Sequence, residues 1–186
     1  MAGSDGISAT AGPSGADSSP PASSAANPRI DFYVLEDTAS SARLKLACRL
    51  AEKAYLASQR ALIWHTDRAE LQALDELLWT FADGSFVPHE WLTSNSGAEN
   101  SETRSRESES FGKPPVLLSA GSLPAAEFDF VLNLASDPPP FLQLTRRVAE
   151  IVDGDEARRR AGRARFKAYR ELGIEPGTIP MRHAQG

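Results

Sequence analysis

With 20 Lys and Arg against 25 Asp and Glu, a net charge of −5, this chain of 186 residues has room for one domain of ordinary size. It is too acidic overall for bulk, sequence-independent binding of nucleic acid. The single cysteine excludes a disulfide framework and fits a reducing, cytoplasmic setting, and no apolar run approaches the length needed to cross a bilayer.

Residues 1–29 are Ala, Ser, Gly and Pro with almost nothing large. Such a segment cannot bury enough apolar surface to offset the entropy of ordering, so a disordered tail is expected. It lacks the basic start and apolar stretch of a signal peptide. Residues 30–35 then form a β-branched, aromatic and aliphatic run, the pattern of a buried strand. Thr38 or Ser40 is placed to cap a helix in which Leu44, Ala47, Cys48, Ala51, Ala54 and Tyr55 recur at helical spacing to about residue 58. Cys48 within that stripe reads as core, not as a nucleophile. Residues 60–64 read as a second strand, and Asp67 as the N-cap of a helix carrying Leu71, Leu74, Leu77, Leu78 and Phe81. Strand, helix, strand, helix is the order of a parallel α/β sheet.

Aromatics concentrate after that helix, at Trp79, Phe81, Phe86 and Trp91, together with Ser85, Val87, Pro88 and His89; they form either a core lid or an interface anchor. Residues 94–113 show no apolar period and read as a surface loop. Strands resume at 115–119 and 128–134. Pro138, Pro139 and Pro140 can open a helix but not lie inside one, so residues 141–147 are expected as a short helix. Residues 149–152 read as the last strand and Asp153-Gly154 as a turn. A final helix spans 155–172 and is ended by Gly173. From 157 to 170 that helix holds seven basic residues and no acid. Arg159, Arg163, Phe166 and Arg170 share one arc, with Lys167 at its edge, and Ala157, Ala161, Ala164, Ala168 and Leu172 lie opposite. The expectation is a helix that packs by its alanines and turns outward a Phe among guanidinium groups, a surface for an acidic partner with an apolar tip.

Glu36, Asp37, His65, Asp67 and Asp137 fall at the strand ends, and ligands of open parallel sheets bind beyond the carboxyl ends of the strands. The turn after the first strand has two carboxylates and no glycine to admit a pyrophosphate. No P-loop and no G-x-S-x-G elbow occurs. His65, His89 and His183 are too scattered for a metal set, and Cys48 has no second thiol. No cofactor and no metal is expected. Two alternatives stay open: a nucleotide- or phosphate-binding α/β enzyme using Asp37 and Asp67, and a direct single-stranded DNA binder using the basic helix and the aromatics.

Three segments carry a resemblance: Asp31-Phe32-Tyr33-Val34-Leu35; Leu74-Asp75-Glu76-Leu77-Leu78-Trp79 followed by Ser85-Phe86-Val87-Pro88-His89; and Arg165-Phe166-Lys167-Ala168-Tyr169-Arg170. On these the chain resembles the chi subunit family of bacterial DNA polymerase III. The resemblance implies a Rossmann-like three-layer α/β sandwich over residues 30–175, with a mostly parallel sheet of about five strands and a flexible C-terminal segment at 176–186. It also implies a non-catalytic adaptor of the replisome, monomeric outside its heteromeric complex. Such an adaptor links the clamp loader to single-stranded-DNA-binding protein and touches DNA only indirectly. Proteins like it grip that partner's acidic C-terminal tail, which ends in Pro-Phe. By motif position the grip falls on Val152, Arg159, Arg163, Phe166 and Lys167, with a one-residue shift open among residues 158–160. A second partner, the small psi subunit or a helicase-like repair protein in its place, falls by similarity on Trp79, Phe86 and Pro88.

Overall fold

The computed structural model describes residues 27–92 and 116–181. The expected loop at 94–113, most of the N-terminal tail and residues 182–186 lie outside them. In chain order the elements are β1 (Arg29–Leu35), α1 (Ser40–Leu56), β2 (Ala61–His65), α2 (Arg68–Leu78), β3 (His89–Trp91), β4 (Val116–Ala120), β5 (Phe130–Asn133), β6 (Arg147–Val152), α3 (Glu156–Glu171) and β7 (Gly177–Met181). The sheet has seven strands in the order β3-β4-β2-β5-β6-β1-β7, and every pair in it is parallel.

Parallel neighbours need crossovers, and crossovers are right-handed. The chain runs one way across the sheet from β1 to β2 to β3, and the other way from β6 to β7. That reversal places α1 and α2 on one face and α3 on the other, giving the three layers. Two cores follow. One packs Tyr33, Ile63, Leu118, Leu132 and Ile151 beneath Ala47, Cys48, Ala51, Leu71, Leu74 and Leu78 of α1 and α2. The other packs Ile30, Phe32, Trp64, Val131, Val148 and Val152 against Tyr169 of α3 and against Phe128 and Phe141 of the connecting segments. Strand residues alternate between the two faces, as the pleat requires.

The expected elements recur with corrections. The sheet exceeds five strands because β3 and β7 are added at its edges. Residues 177–181 were expected to be flexible but pair along β1 from Asp31↔Gly177 to Leu35↔Met181. The prolines do not open a regular helix; Leu142–Leu144 is a single 3-10 turn, and Arg147 already belongs to β6. Neither Thr38 nor Ser40 caps α1: its N-cap is Ala39, whose N–H donates to the Asp37 side chain at 2.8 Å. Asp67 caps α2 as expected, accepting from the N–H groups of Ala69 (2.8 Å) and Glu70 (3.4 Å).

The largest correction concerns α3. Its buried residues are Gly162, Arg165 and Tyr169, whereas Ala157 and Ala164 are exposed and Leu172 is 59% exposed. The helix packs by a glycine, an arginine and a tyrosine, not by its alanines. Gly162 allows the close approach: a Cβ there would stand 2.7 Å from Val152 Cγ2. Gly173 stops the helix at a φ of +76°, a conformation that suits glycine.

Replacing Asp67 by Ala removes the α2 cap, and stability should fall by about 1 kcal/mol, read as a lower urea midpoint at unchanged slope.

Candidate functional site

The rotation of α3 follows from one side chain. Glu150, in the middle of β6, is wholly buried, and an unpaired carboxylate there would be prohibitively costly. Three donors meet it: Arg165 Nε at 2.8 Å on one oxygen, and Tyr169 Oη at 2.6 Å and Asn133 Nδ2 at 2.8 Å on the other. Burial pushes its carboxyl above the ordinary value, and Arg165, Asn133 and Tyr169 pull it back. Tyr169 is itself pushed far up by burial and by the Glu150 charge. Arg165 also donates to Ser136 O at 3.1 Å. With Arg165 and Tyr169 turned inward, the neighbouring stripe of Arg159, Arg163 and Phe166 lies along the seam between α3 and the sheet.

That seam holds a cavity of about 250 Å³ lined by Phe32, Val34, Val152, Arg159, Gly162, Arg163, Phe166 and Thr178. Its apolar wall comes from β1, β6 and α3, with the Phe166 ring tilted against Phe32 at 5.4 Å between centroids. The volume lies below the roughly 300–1,000 Å³ of small-molecule sites and suits one large side chain. Two cations stand on its helix side. Arg159 donates through Nε to Asp153 O at 3.2 Å, and Arg163 Nη2 lies 2.8 Å from Glu156 Oε1. Four of the five residues expected to grip a peptide thus line one cavity. Lys167 does not; it is exposed and lies 3.6 Å from Glu171.

Within residues 158–160 the side chains have different partners. Arg158 is committed to the buried Asp153, with Nε 2.8 and 2.9 Å from the two carboxylate oxygens, and Arg159 is the one that lines the cavity. Phe32, Val34, Gly162 and Thr178 were missed. The β1 alternation places Phe32 and Val34 on one face, and a glycine inside a helix signals a close approach, but Thr178 lies on a strand that was not expected.

The strand ends are occupied by the protein's own groups. The crevice between the carboxyl ends of β6 and β1, where the connections part to opposite faces, is filled by the Asp153-Gly154 turn. Gly154 N–H donates to Asp37 O at 2.6 Å, and a Cβ on Gly154 would meet Glu36 O and Thr38 Cγ2 at 2.7 Å. At the end of β2, His65 Nδ1 accepts from the N–H groups of Thr66 and Asp67, so Nε2 carries the proton and donates to Glu70 Oε2 at 2.7 Å. The other Glu70 oxygen pairs with Arg43 Nη1, and Arg43 Nη2 donates to Leu134 O at 2.6 Å. Among the described residues no cluster of three His, Cys, Asp or Glu side chains could hold a metal ion, and no helix is long and apolar enough to cross a membrane.

The aromatic segment after α2 divides in two: Phe81 and Trp91 are partly buried against the core, and the other two aromatics face solvent. Trp79 is 52% and Phe86 59% exposed, with their rings 5.1 Å apart. Trp79 also lies 4.8 Å from the His89 ring. Val87 is fully buried, and Ser85 Oγ donates to Glu52 Oε1 at 2.5 Å; these anchor the loop. Pro88 beside them is half-buried. His89 Nδ1 lies 2.7 Å from Val87 O, while Nε2 faces Asp75 Oδ1 at 3.1 Å without the alignment of a hydrogen bond.

Fold and site together define a three-layer parallel α/β protein whose crevice at the β6–β1 reversal is closed and whose open pocket lies at the margin of the sheet. The backbone is similar to the C-terminal domain of the DEAD-box protein Dbp5 (TM-score 0.54, 14% identity, covering 83% of this chain and 91% of that one). It is likewise similar to UvsW of T4 (TM-score 0.55, 10% identity, 83% and 42%). At these identities the likeness concerns the fold alone. The sequence is more specific. Residues 28–177 match the family described as DNA polymerase III chi subunit, HolC, and the chain belongs to that family. It is 36% identical over 145 residues to the DNA polymerase III subunit chi of Pseudomonas aeruginosa, covering 78% of this chain and 91% of that protein. It is 26% identical over 151 residues to that of Escherichia coli, covering 79% and 94%.

Two outcomes are expected. Tyr169→Phe takes one donor from the buried Glu150 carboxylate and should lower stability by about 1.5–3 kcal/mol, measured by chemical unfolding. The second concerns Glu70, whose carboxyl is held below its ordinary value of 4.5 by the His65 hydrogen bond and by Arg43, against partial burial. A lowered folded value means that the stabilisation is complete above about 4.5 and is lost as pH falls through the folded value. The stability deficit of Glu70→Gln should therefore be largest at neutral pH and shrink below pH 4.5 when unfolding midpoints are compared.

Proposed function

We propose that this chi-family protein is a non-catalytic adaptor of the DNA polymerase III holoenzyme whose α3 pocket takes the acidic C-terminal tail of single-stranded-DNA-binding protein. The observation that carries the reading is the convergence of Val152, Arg159, Arg163 and Phe166 on one small cavity, apolar in its wall and cationic at its helix side. A terminal Phe fills the cavity, its α-carboxylate pairs with the guanidinium groups through charge-assisted hydrogen bonds, and Lys167 attracts acids further up the tail. Trp79, Phe86 and Pro88 offer the second surface, toward the psi subunit or a helicase-like repair protein. They lie at the end of α2, on the opposite face of the sheet from α3, so both partners fit at once. The mechanism is tethering: a weak grip repeated over several identical tails holds the polymerase assembly near exposed template by effective concentration. Contact with DNA is indirect.

The charge pattern of α3 favours a specific acidic peptide over bare single-stranded DNA. Five of its seven cations already face a carboxylate, in the pairs Arg158–Asp153, Arg163–Glu156, Arg165–Glu150, Lys167–Glu171 and Arg170–Glu175. Such a helix is a poor track for a polyanion.

Fluorescence anisotropy of a labelled acidic peptide ending in Pro-Phe tests the reading. Binding should need the terminal Phe and weaken with salt, and Arg163→Ala should weaken it about tenfold, or about 1.4 kcal/mol. Equal binding of a peptide lacking the Phe would overturn the pocket assignment.

A further inference from the structure

The two cations of the pocket are not in the same state. Arg159 is held through a neutral acceptor, the Asp153 carbonyl, and has no carboxylate partner among the described residues. Arg163 already carries one, Glu156 Oε1 at 2.8 Å from its Nη2. Glu156 opens α3, seven residues before Arg163. Seven residues are close to two helical turns, so the two side chains share a face. The separation exceeds the three- and four-residue spacing of ordinary helix ion pairs, so Arg163 must stretch back along its helix, past Arg159, to reach Glu156. Both partners are about two-thirds exposed, which makes the pair weak and exchangeable.

We infer that Glu156 is a built-in competitor for the anion that this pocket binds, occupying Arg163 until a ligand carboxylate displaces it. The inference rests on the reading of the pocket as a site for an acidic chain end. It adds a rule of specificity. An incoming carboxylate meets Arg159 freely but gains Arg163 only by breaking the Glu156 pair, and the Glu156 charge repels anions that bring nothing else. A ligand with an apolar terminal side chain supplies the remaining binding energy from the cavity; a bare polyanion does not. Discrimination by a repulsive element is a recognised route to specificity. The acid also sits in the first turn of α3, where it favours the helix dipole, so its retention has a structural benefit as well. The two roles separate on measurement, because only competition couples Glu156 to Arg163 in ligand affinity.

The experiment uses the full chain and the labelled acidic peptide ending in Pro-Phe at low salt, with four variants: Glu156→Gln, Glu175→Gln, Arg163→Ala and the Glu156→Gln/Arg163→Ala double variant. Glu175→Gln makes the same change of net charge, at an acid that faces Arg170 away from the pocket lining. Glu156→Gln should tighten binding roughly two- to fivefold, the effect of freeing a cation from an exposed pair worth up to about 1 kcal/mol. Glu175→Gln should change it far less, and the gain should vanish once Arg163 is Ala. No tightening, an equal gain with Glu175→Gln, or a gain that persists without Arg163 overturns the inference while leaving the pocket reading in place. If neither the wild-type protein nor Glu156→Gln binds the peptide, both fall.

Discussion

A carboxylate buried at the centre of β6 governs this molecule. Glu150 has no contact with solvent and is tolerable only because Arg165, Tyr169 and Asn133 meet it. Two of those three lie on α3, so the helix has one acceptable rotation. Breaking such a constellation leaves a buried charge unpaired, and few alternative packings of α3 satisfy it. Everything at the pocket follows: Gly162 settles against Val152, Tyr169 and Phe166 close on Phe32, and Arg159 and Arg163 are set on the seam.

The same fold occurs in the C-terminal domain of the DEAD-box protein Dbp5. In an open parallel sheet the natural ligand crevice lies where adjacent connections diverge to opposite faces. Here that place is closed by the Asp153-Gly154 turn on the loop after β1, and beside it Asp37 accepts from the Ala39 N–H, Asp153 from Arg158, and Asp155 caps α3. The open surfaces lie elsewhere: a cavity beside β1 and β7 on the α3 face, and an exposed Trp79-Phe86 pair at the end of α2 on the other face. A sheet with an exposed surface on each face is what the proposed connector role requires.

Much of the architecture was legible from periodicity. The β1, β2 and β6 runs, the leucine stripe of α2 under its Asp67 cap, and the Gly173 stop depend on local physics that tertiary contacts leave intact. The edges were not legible. β3 is three residues long, and β7 contains Gly177 and Pro180, residues with poor strand propensity. Only an existing β1 edge makes a strand of them. The alanine face of α3 was misread for a related reason. A pattern rule sends arginine outward, and it has no knowledge of a carboxylate waiting on β6.

By itself the sequence determined the parallel α/β class and the family, and it pointed to Val152, Arg163 and Phe166 while leaving Arg159 open by one residue, because these depend on local pattern and motif position. The tertiary structure alone decided that the four line one cavity, with Phe32, Val34 and Thr178 completing it and Lys167 outside. It also decided which cations are already spent on internal carboxylates. Pairing across the fold, between residues as far apart as Arg165 and Glu150 or Phe32 and Phe166, is set by the packing of helix on sheet, and no spacing along the chain encodes it.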